Sequence, residues 1–271
     1  MSYFYIGVKM QPNFNLQREI KNELVCGISK SSVTPFHFHS HIEFYIVLYG
    51  KIEVIVNDKR KILQGGEFSV ALSYDAHSYR ALGDAKAIYL IIPQSYVKDF
   101  TDQLMGRREF FPFIDDPETV KTVTDAASKL ILGGNELTRR GLIFLILGAI
   151  LDKLPKDESP HLKPYAPSPE ILIYVGKHFR EEMSLATVAR EFGYSASYLS
   201  RMFSETFGIS FRKYLTLTRL REAVLLLQSA DMSITECAME SGFSSMRSFY
   251  RAFRDEFATT PKEYYANICK N

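Results

Sequence analysis

Residues 35–50 read PFHFHSHIEFYIVLYG, which places His37, His39, His41 and Glu43 on every second position. Imidazole nitrogens and a carboxylate are the donors that a divalent transition metal takes. The same groups also hydrogen-bond hydroxyl-rich organic ligands. Three readings stand side by side: a metal centre, the polar wall of an effector pocket, and a polar cluster that is structural alone. On one straight strand His37 and Glu43 would lie about 20 Å apart, at ~3.3 Å per residue. No single ion with ligand bonds of ~2.0–2.2 Å spans that distance. What these residues do therefore depends on the elements that carry them.

From about 20 to 92 the pattern has period two and is broken by turn residues, which predicts short antiparallel strands. EFYIVLYG and KIEVIVND meet at Gly50, NDKR (57–60) is a second turn, QGGEFSVALS (64–73) opens a further strand, and KAIYLIIP (86–93) closes the series. Six or more such strands predict a sandwich or barrel. The period then changes, and helices are predicted over 95–105, 118–132 and 135–154. The almost wholly apolar 142–151 needs cover on more than one face. A barrel wall plus a second subunit would supply it, as would burial within a monomer. Residues 155–169 hold five prolines and read as a linker, since proline is excluded from helix interiors and stiffens extended chain. The expected organisation is a first domain over 1–154, a linker over 155–167 and a second domain over 168–271.

Length and composition permit two ordinary globular domains: 271 residues, 46% hydrophobic, 24% charged, net charge +2. Near-neutral charge excludes nothing about partners. From 168 onward, however, 9 of the 13 cations are arginine, the side chain suited to phosphate and guanine. Cys26, Cys237 and Cys269 are odd in number and far apart, as expected of reduced thiols in a cytoplasmic protein. Cys237 falls on an apolar helical position. No signal peptide is visible at the N-terminus, and the longest apolar run, GLIFLILGAIL (141–151), is about half of what spans a bilayer. No membrane partner is expected.

Beyond the linker the sequence repeats with a period of about 50. LATVAREFGYSASYLSRMFSETFGISFRKYL (185–215) aligns with ITECAMESGFSSMRSFYRAFRDEFATTPKEYY (234–265), with one extra residue after Gly242-Phe243. Leu199, Arg201, Phe203, Phe207 and Tyr214 then match Phe249, Arg251, Phe253, Phe257 and Tyr264. Each unit is a short helix, a glycine that can take positive φ, a serine suited to cap the next helix (Ser195, Ser244), and a second helix. That second helix turns Leu199, Met202 and Phe203, or Phe249 and Phe253, inward and arginine outward. One such unit fits any helical bundle. Two at matching offsets, joined by an amphipathic helix over 215–230, fit successive major grooves roughly 34 Å apart.

Residues 168–265 resemble the DNA-binding domain of the AraC/XylS family of bacterial transcription regulators. The resemblance rests on GYSASYLSRMFSETFGISFRKYL with TRLREA (218–223), and on Gly242, Phe243, Phe249, Phe253, Pro261 and Tyr264. Ala258 stands where that family has glycine, Tyr265 where arginine is common, and Cys237 where an aliphatic residue is usual. Carried over by position, the base-contacting residues are Ser197, Ser200 and Arg201 in the first unit and Met246, Arg247, Tyr250 and Arg251 in the second. Arg201 has an intradomain ion pair as its alternative. The first domain resembles the cupin barrel that such regulators use as a sensor, through His37, His39, Glu43 and Gly50. A weaker second motif holds Gly66 and His77, where SYDAH lacks the usual proline and glycine. The resemblance implies a turn near Ser40-His41 that lets His37, His39, Glu43 and His77 converge while His41 points elsewhere. Tyr45, Tyr74 and Tyr79 are candidates to line such a pocket.

The fold expected is α+β multidomain: a cupin-like β-barrel with a helical pair, then an all-α domain with two helix-turn-helix units. The function expected is regulation of transcription, activation first, by a protein that binds promoter DNA and a small-molecule effector. Its effector residues are His37, His39, Glu43, Tyr45 and His77, with sugars the first class to consider. RNA polymerase and a second copy joined through 135–154 are the expected partners. No cofactor is required, although His37, His39, Glu43 and His77 could hold a divalent metal. The competing reading is a metal-dependent cupin enzyme with an appended helical domain.

Overall fold

The computed structural model describes residues 4–5, 8–9, 11–93, 96–97, 111–151, 153, 169–229 and 232–268. The linker expected over 155–167 and most of the helix expected over 95–105 lie outside them. The chain forms two units, one of residues 1–13 and 22–163, the other of 14–21 and 164–271. The sequence reading puts 14–21 in the first domain; the structure groups them with the second.

In the first unit β1 (Phe4–Tyr5) pairs with β2 (Val8–Lys9). Two five-stranded antiparallel sheets follow. One runs β3 (Asn13–Phe14), β5 (Val33–Phe38), β10 (His77–Ala81), β7 (Lys51–Val56), β8 (Lys59–Gln64). The other runs β12 (Phe113–Ile114), β9 (Glu67–Ala71), β6 (Ile42–Tyr49), β11 (Lys86–Ile92), β4 (Val25–Lys30). Strand β6 is buried from Ile42 to Val47, because both of its faces are covered. Tyr45 and Val47 pack with Val54, Leu63 and Tyr79 between the sheets. Ile42, Phe44 and Ile46 pack outward on the helical pair. This two-sided burial is why EFYIVLY reads as a continuous apolar run rather than an alternation.

The pair is α2 (Pro117–Leu132) and α3 (Glu136–Leu151). Asp116 caps α2 by accepting from the Thr119 N–H, with Pro117 at its first position. Helix α3 buries Ile143, Ile146, Leu147 and Ile150 against the sheet and α2. Its other face shows Leu137, Phe144 and Leu145 to solvent, at 82%, 54% and 52% exposure.

The second unit holds α1 (Leu16–Lys21), α4 (Pro169–His178), α5 (Leu185–Glu191), α6 (Ala196–Phe207), α7 (Phe211–Ser229), α8 (Ile234–Glu240), α9 (Met246–Phe257) and α10 (Pro261–Ile268). Helix α7 is the hub. Leu217, Leu220, Val224 and Leu227 pack with Cys237, Phe249 and Phe253, and also with Leu16 and Ile20 of α1. Phe211, Tyr214, Leu215 and Thr218 are buried as well. Helix α7 is thus enclosed on several sides, not amphipathic as its sequence suggested. Burying Leu16 and Ile20 contributes about 1.5–3 kcal/mol each. Glu19, on the same helix, is buried and meets Arg221 Nη1 at 3.1 Å. An acid amid the apolar positions of a six-residue helix hides its membership of this core from pattern reading.

Both helix-turn-helix units are capped as their serines suggest, with one shift. Ser184 and Ser233 form capping boxes with Thr187 and Glu236. Ser195 caps α6 by accepting from the Tyr198 N–H. In the second unit Ser245, not Ser244, caps α9, accepting from the Ser248 N–H. The extra residue after Phe243 moves the cap by one, and with serine at both positions the sequence could not tell them apart. Gly242 is obligatory: at φ +81 a Cβ would sit 2.7 Å from the Arg180 Cα.

The second helices of the two units, α6 and α9, end alike, with Gly208 at φ 65 and Ala258 at φ 54, both left-handed. A Cβ there costs roughly 1–2 kcal/mol, partly offset by the entropy that glycine gives the unfolded chain. Ala258→Gly is therefore expected to raise stability by about 0.5–1 kcal/mol and Gly208→Ala to lower it similarly, both read from urea melts. Equal midpoints for all three proteins would disprove the strain at Ala258.

Candidate functional site

The chain leaves β5 at Phe38 and enters β6 at Ile42, passing from one sheet to the other through residues 39–41. His37 faces His77 across the β5–β10 pairing, Glu43 projects from β6, and His39 lies on the crossing. One ligand atom from each of His37, His39, Glu43 and His77 lies within 4.8 Å of the others, and all four residues are buried. His41 is also buried but is not a member of that group.

Backbone carbonyls orient all three rings. His37 Nδ1 lies 2.8 Å from Pro35 O, His77 Nδ1 2.8 Å from Asp75 O, and His39 Nδ1 3.2 Å from His41 O. A carbonyl only accepts, so each Nδ1 carries the proton. In the neutral ring each Nε2 is then a bare lone pair. His39 Nε2 stands 3.1 Å from Glu43 Oε2 and His77 Nε2 3.5 Å from the same oxygen. Lone pairs facing a carboxylate repel unless a proton or a metal cation lies between them. The titration tendencies agree. Burial first, then His77 and His39, brings His37 down to about 4. Burial alone would raise Glu43, yet the contacts from His39 and His77 hold it far below the carboxylate range. Burial acts to lower His77, yet the Glu43 carboxylate and Asp75 together raise it.

Support comes from residues that pattern reading passed over. Asp75 accepts from Asn57 Nδ2 at 2.6 Å and from the Leu72 N–H at 2.9 Å, while Asn57 Oδ1 accepts from the Ala76 N–H at 3.0 Å. The Tyr74 N–H donates to His39 O at 2.8 Å, tying the loop before His77 to the crossing. Tyr74 itself takes φ 69. These bonds shape a turn for which SYDAH has neither proline nor glycine, and the missing residues had marked the motif as weak. Of the expected effector residues, Tyr45 is used otherwise: its hydroxyl donates to Ser29 Oγ at 2.8 Å and its ring stacks on Tyr79 at 3.9 Å. The Tyr79 hydroxyl is buried with no hydrogen-bond partner among the described residues. Tyr79 shares the face of β10 with His77, a placement that strand alternation makes readable.

The cluster fits a divalent metal. Ligand bonds of about 2.0–2.2 Å allow donor atoms at most about 4.4 Å apart, so the four need move only slightly inward. The other ring nitrogen of each histidine already donates to a carbonyl, the arrangement that orients metal-bound imidazoles.

In the second unit Ser197, Ser200 and Arg201 on α6 and Arg247, Tyr250 and Arg251 on α9 are exposed. Met246 is half-buried and packs on the core. Among the described residues Arg201 forms no ion pair, and its guanidinium remains on the outer face.

Comparison with known proteins matches residues 188–267 to a helix-turn-helix domain family and residues 25–93 to a cupin domain family. An uncharacterised HTH-type transcriptional regulator of Staphylococcus aureus (strain COL) is 23% identical over 256 residues, 90% of this chain and 34% of that one. The HTH-type transcriptional regulator ExsA of Pseudomonas aeruginosa is 36% identical over 89 residues, 33% of this chain and 32% of that one. The chain thus spans about a third of the length of the first relative, and the match to ExsA covers about a third of both proteins. Among solved structures, apo ToxT of Vibrio cholerae superposes with a TM-score of 0.50 at 13% identity, covering 89% of this chain and 96% of that one. Unsaturated-fatty-acid-bound ToxT gives 0.50 at 14% identity, with 89% and 94% covered. Likeness at that level concerns the fold. A cupin domain leading a helix-turn-helix domain, with HTH-type transcriptional regulators among the relatives, is the domain order of the AraC/XylS family that the sequence resembles.

Proposed function

We propose that this protein binds promoter DNA through α6 and α9 and that an effector held in its barrel alters that binding. One observation carries the DNA-binding reading. Each recognition helix buries its aromatic side and turns serine, arginine and tyrosine to solvent, with glycine-kinked turns and capped starts before both. Arginine takes guanine O6 and N7, while serine and tyrosine suit phosphates and single base contacts. None of the described helices is long and apolar enough to cross a membrane.

The effector site is the cluster of His37, His39, Glu43 and His77. ToxT has been solved with an unsaturated fatty acid; three imidazoles around a carboxylate suit a polar occupant instead. His37, His39 and His77, through Nε2, and Glu43 would hold a divalent metal, which would supply a positive centre for oxygen donors of an effector. An effector shifts the protein only by binding two of its states unequally, and the buried crossing at residues 39–41 is the element such binding would move. Dimerisation uses α3, whose exposed Leu137, Phe144 and Leu145 form an apolar strip suited to a second copy of itself. Activation through RNA polymerase completes the reading.

Three outcomes are expected. Arg247→Ala should weaken binding to a duplex selected from a random pool roughly 5–100-fold, with little change on scrambled duplex; equal losses on both would remove Arg247 from base contact. Elemental analysis of natively purified protein should find near-stoichiometric divalent metal that is lost in His39→Ala, and metal in neither sample would leave a hydrogen-bonding pocket. Phe144→Glu should turn dimer to monomer in sedimentation velocity at micromolar concentration, whereas an unchanged dimer would place the interface elsewhere.

A further inference from the structure

Between the two recognition helices lies a concavity of about 680 Å³. Ser200 of α6 lines one side and Ser248 and Arg251 of α9 the other, while Ser210 and Arg212 at the start of α7 form part of its floor. The cleft therefore opens on the same face as the residues proposed to reach bases.

Most cations nearby are committed to holding helices together. Lys213 Nζ meets Glu256 at 2.7 Å. Arg219 donates to Phe179 O at 2.8 Å and to Glu181 O at 2.9 Å, and Arg180 pairs with Glu222. Arg212 and Arg251 differ: both are exposed, and among the described residues neither guanidinium has an ion pair or hydrogen bond. A further contribution comes from the start of α7, 19 residues long. Ser210 Oγ there takes only the Lys213 N–H, at 3.2 Å, so the positive end of the helix is directed at the cleft. Asp255 also lines the wall and lies C-terminal to Arg251 on α9. Two uncommitted guanidiniums, serine hydroxyls and a helix N-terminus in one concave surface are the ingredients of a phosphate site.

Two helices one turn of duplex apart, each in a major groove, leave the sugar-phosphate backbone around the intervening minor groove facing the protein between them. We propose that this cleft seats that backbone and that Arg212 is a phosphate contact, a positioning residue that reads no base. The proposal rests on the DNA-binding reading above and adds a sequence-independent anchor to it. It also locates the electrostatic component of binding in a domain whose cations barely outnumber its acids.

Full-length wild type, Arg212→Ala and Arg212→Lys are titrated by fluorescence anisotropy, on the selected duplex and on a scrambled one, from 50 to 300 mM salt. The expected result for Arg212→Ala is the same several-fold loss on both duplexes at low salt. Its slope of log affinity against log salt should be shallower by about 0.9, while Arg212→Lys retains most of the wild-type slope. Arg212 is solvent-exposed, and matching thermal melts check that the variants fold. Wild-type slope and affinity in Arg212→Ala, or a loss confined to the selected duplex, would overturn the phosphate role while leaving DNA binding intact. Wild type binding neither duplex would overturn the DNA-binding reading and this proposal together.

Discussion

The barrel is organised around one electrostatic requirement: three imidazoles whose Nδ1 atoms are committed to carbonyls gather at a single carboxylate, which the Nε2 atoms of His39 and His77 face directly. Buried in this way, the arrangement is stable only with positive charge at its centre, a proton or a metal ion. That requirement explains the surrounding hydrogen bonds. Asp75 and Asn57 brace the loop before His77, and the Tyr74 N–H to His39 O bond ties this loop to the crossing between sheets. Whatever occupies the cluster therefore acts on backbone in both sheets at once. Two of the strands it touches, β6 and β10, are the middle strands of their sheets.

The helical unit solves a different problem, the rigid spacing of two surfaces. Helix α7 packs against apolar residues of the second repeat and of α1, and Phe203 of the first repeat meets its Phe211 and Tyr214 rings, so both repeats are fixed to it. Conserving that spacing leaves little room for charge, and most cations near the cleft are spent on helix-to-helix pairs. The arginines that remain uncommitted on the recognition face are consequently the informative ones.

Residues 14–21 complicate the division of labour. Phe14, Leu16 and Ile20 join the core of the helical unit, with Glu19 paired to Arg221, and the chain enters the barrel at Val25 only a few residues later. A fragment that begins after the linker would expose part of α7 and leave Arg221 without this carboxylate.

Much was legible in the sequence because it depends on local rules. Period-two and helical patterns separate the halves, the repeat of glycine, serine and aromatic residues marks both helix-turn-helix units, and HxH followed by glutamate marks the cluster. Tertiary structure decided what local rules leave degenerate. Ser244 and Ser245 are equally good caps, and packing of the extra residue chose Ser245. Tyr45 alternates onto the same face as Glu43, yet Ser29 and Tyr79 claim it for packing. A six-residue helix is too short for its pattern to name a partner, and only the apolar surface of α7 assigned α1 to the second unit. The convergence of His37, His39, Glu43 and His77 is likewise a property of two sheets and the crossing between them, since residues 34 to 40 apart in sequence meet only through long-range pairing.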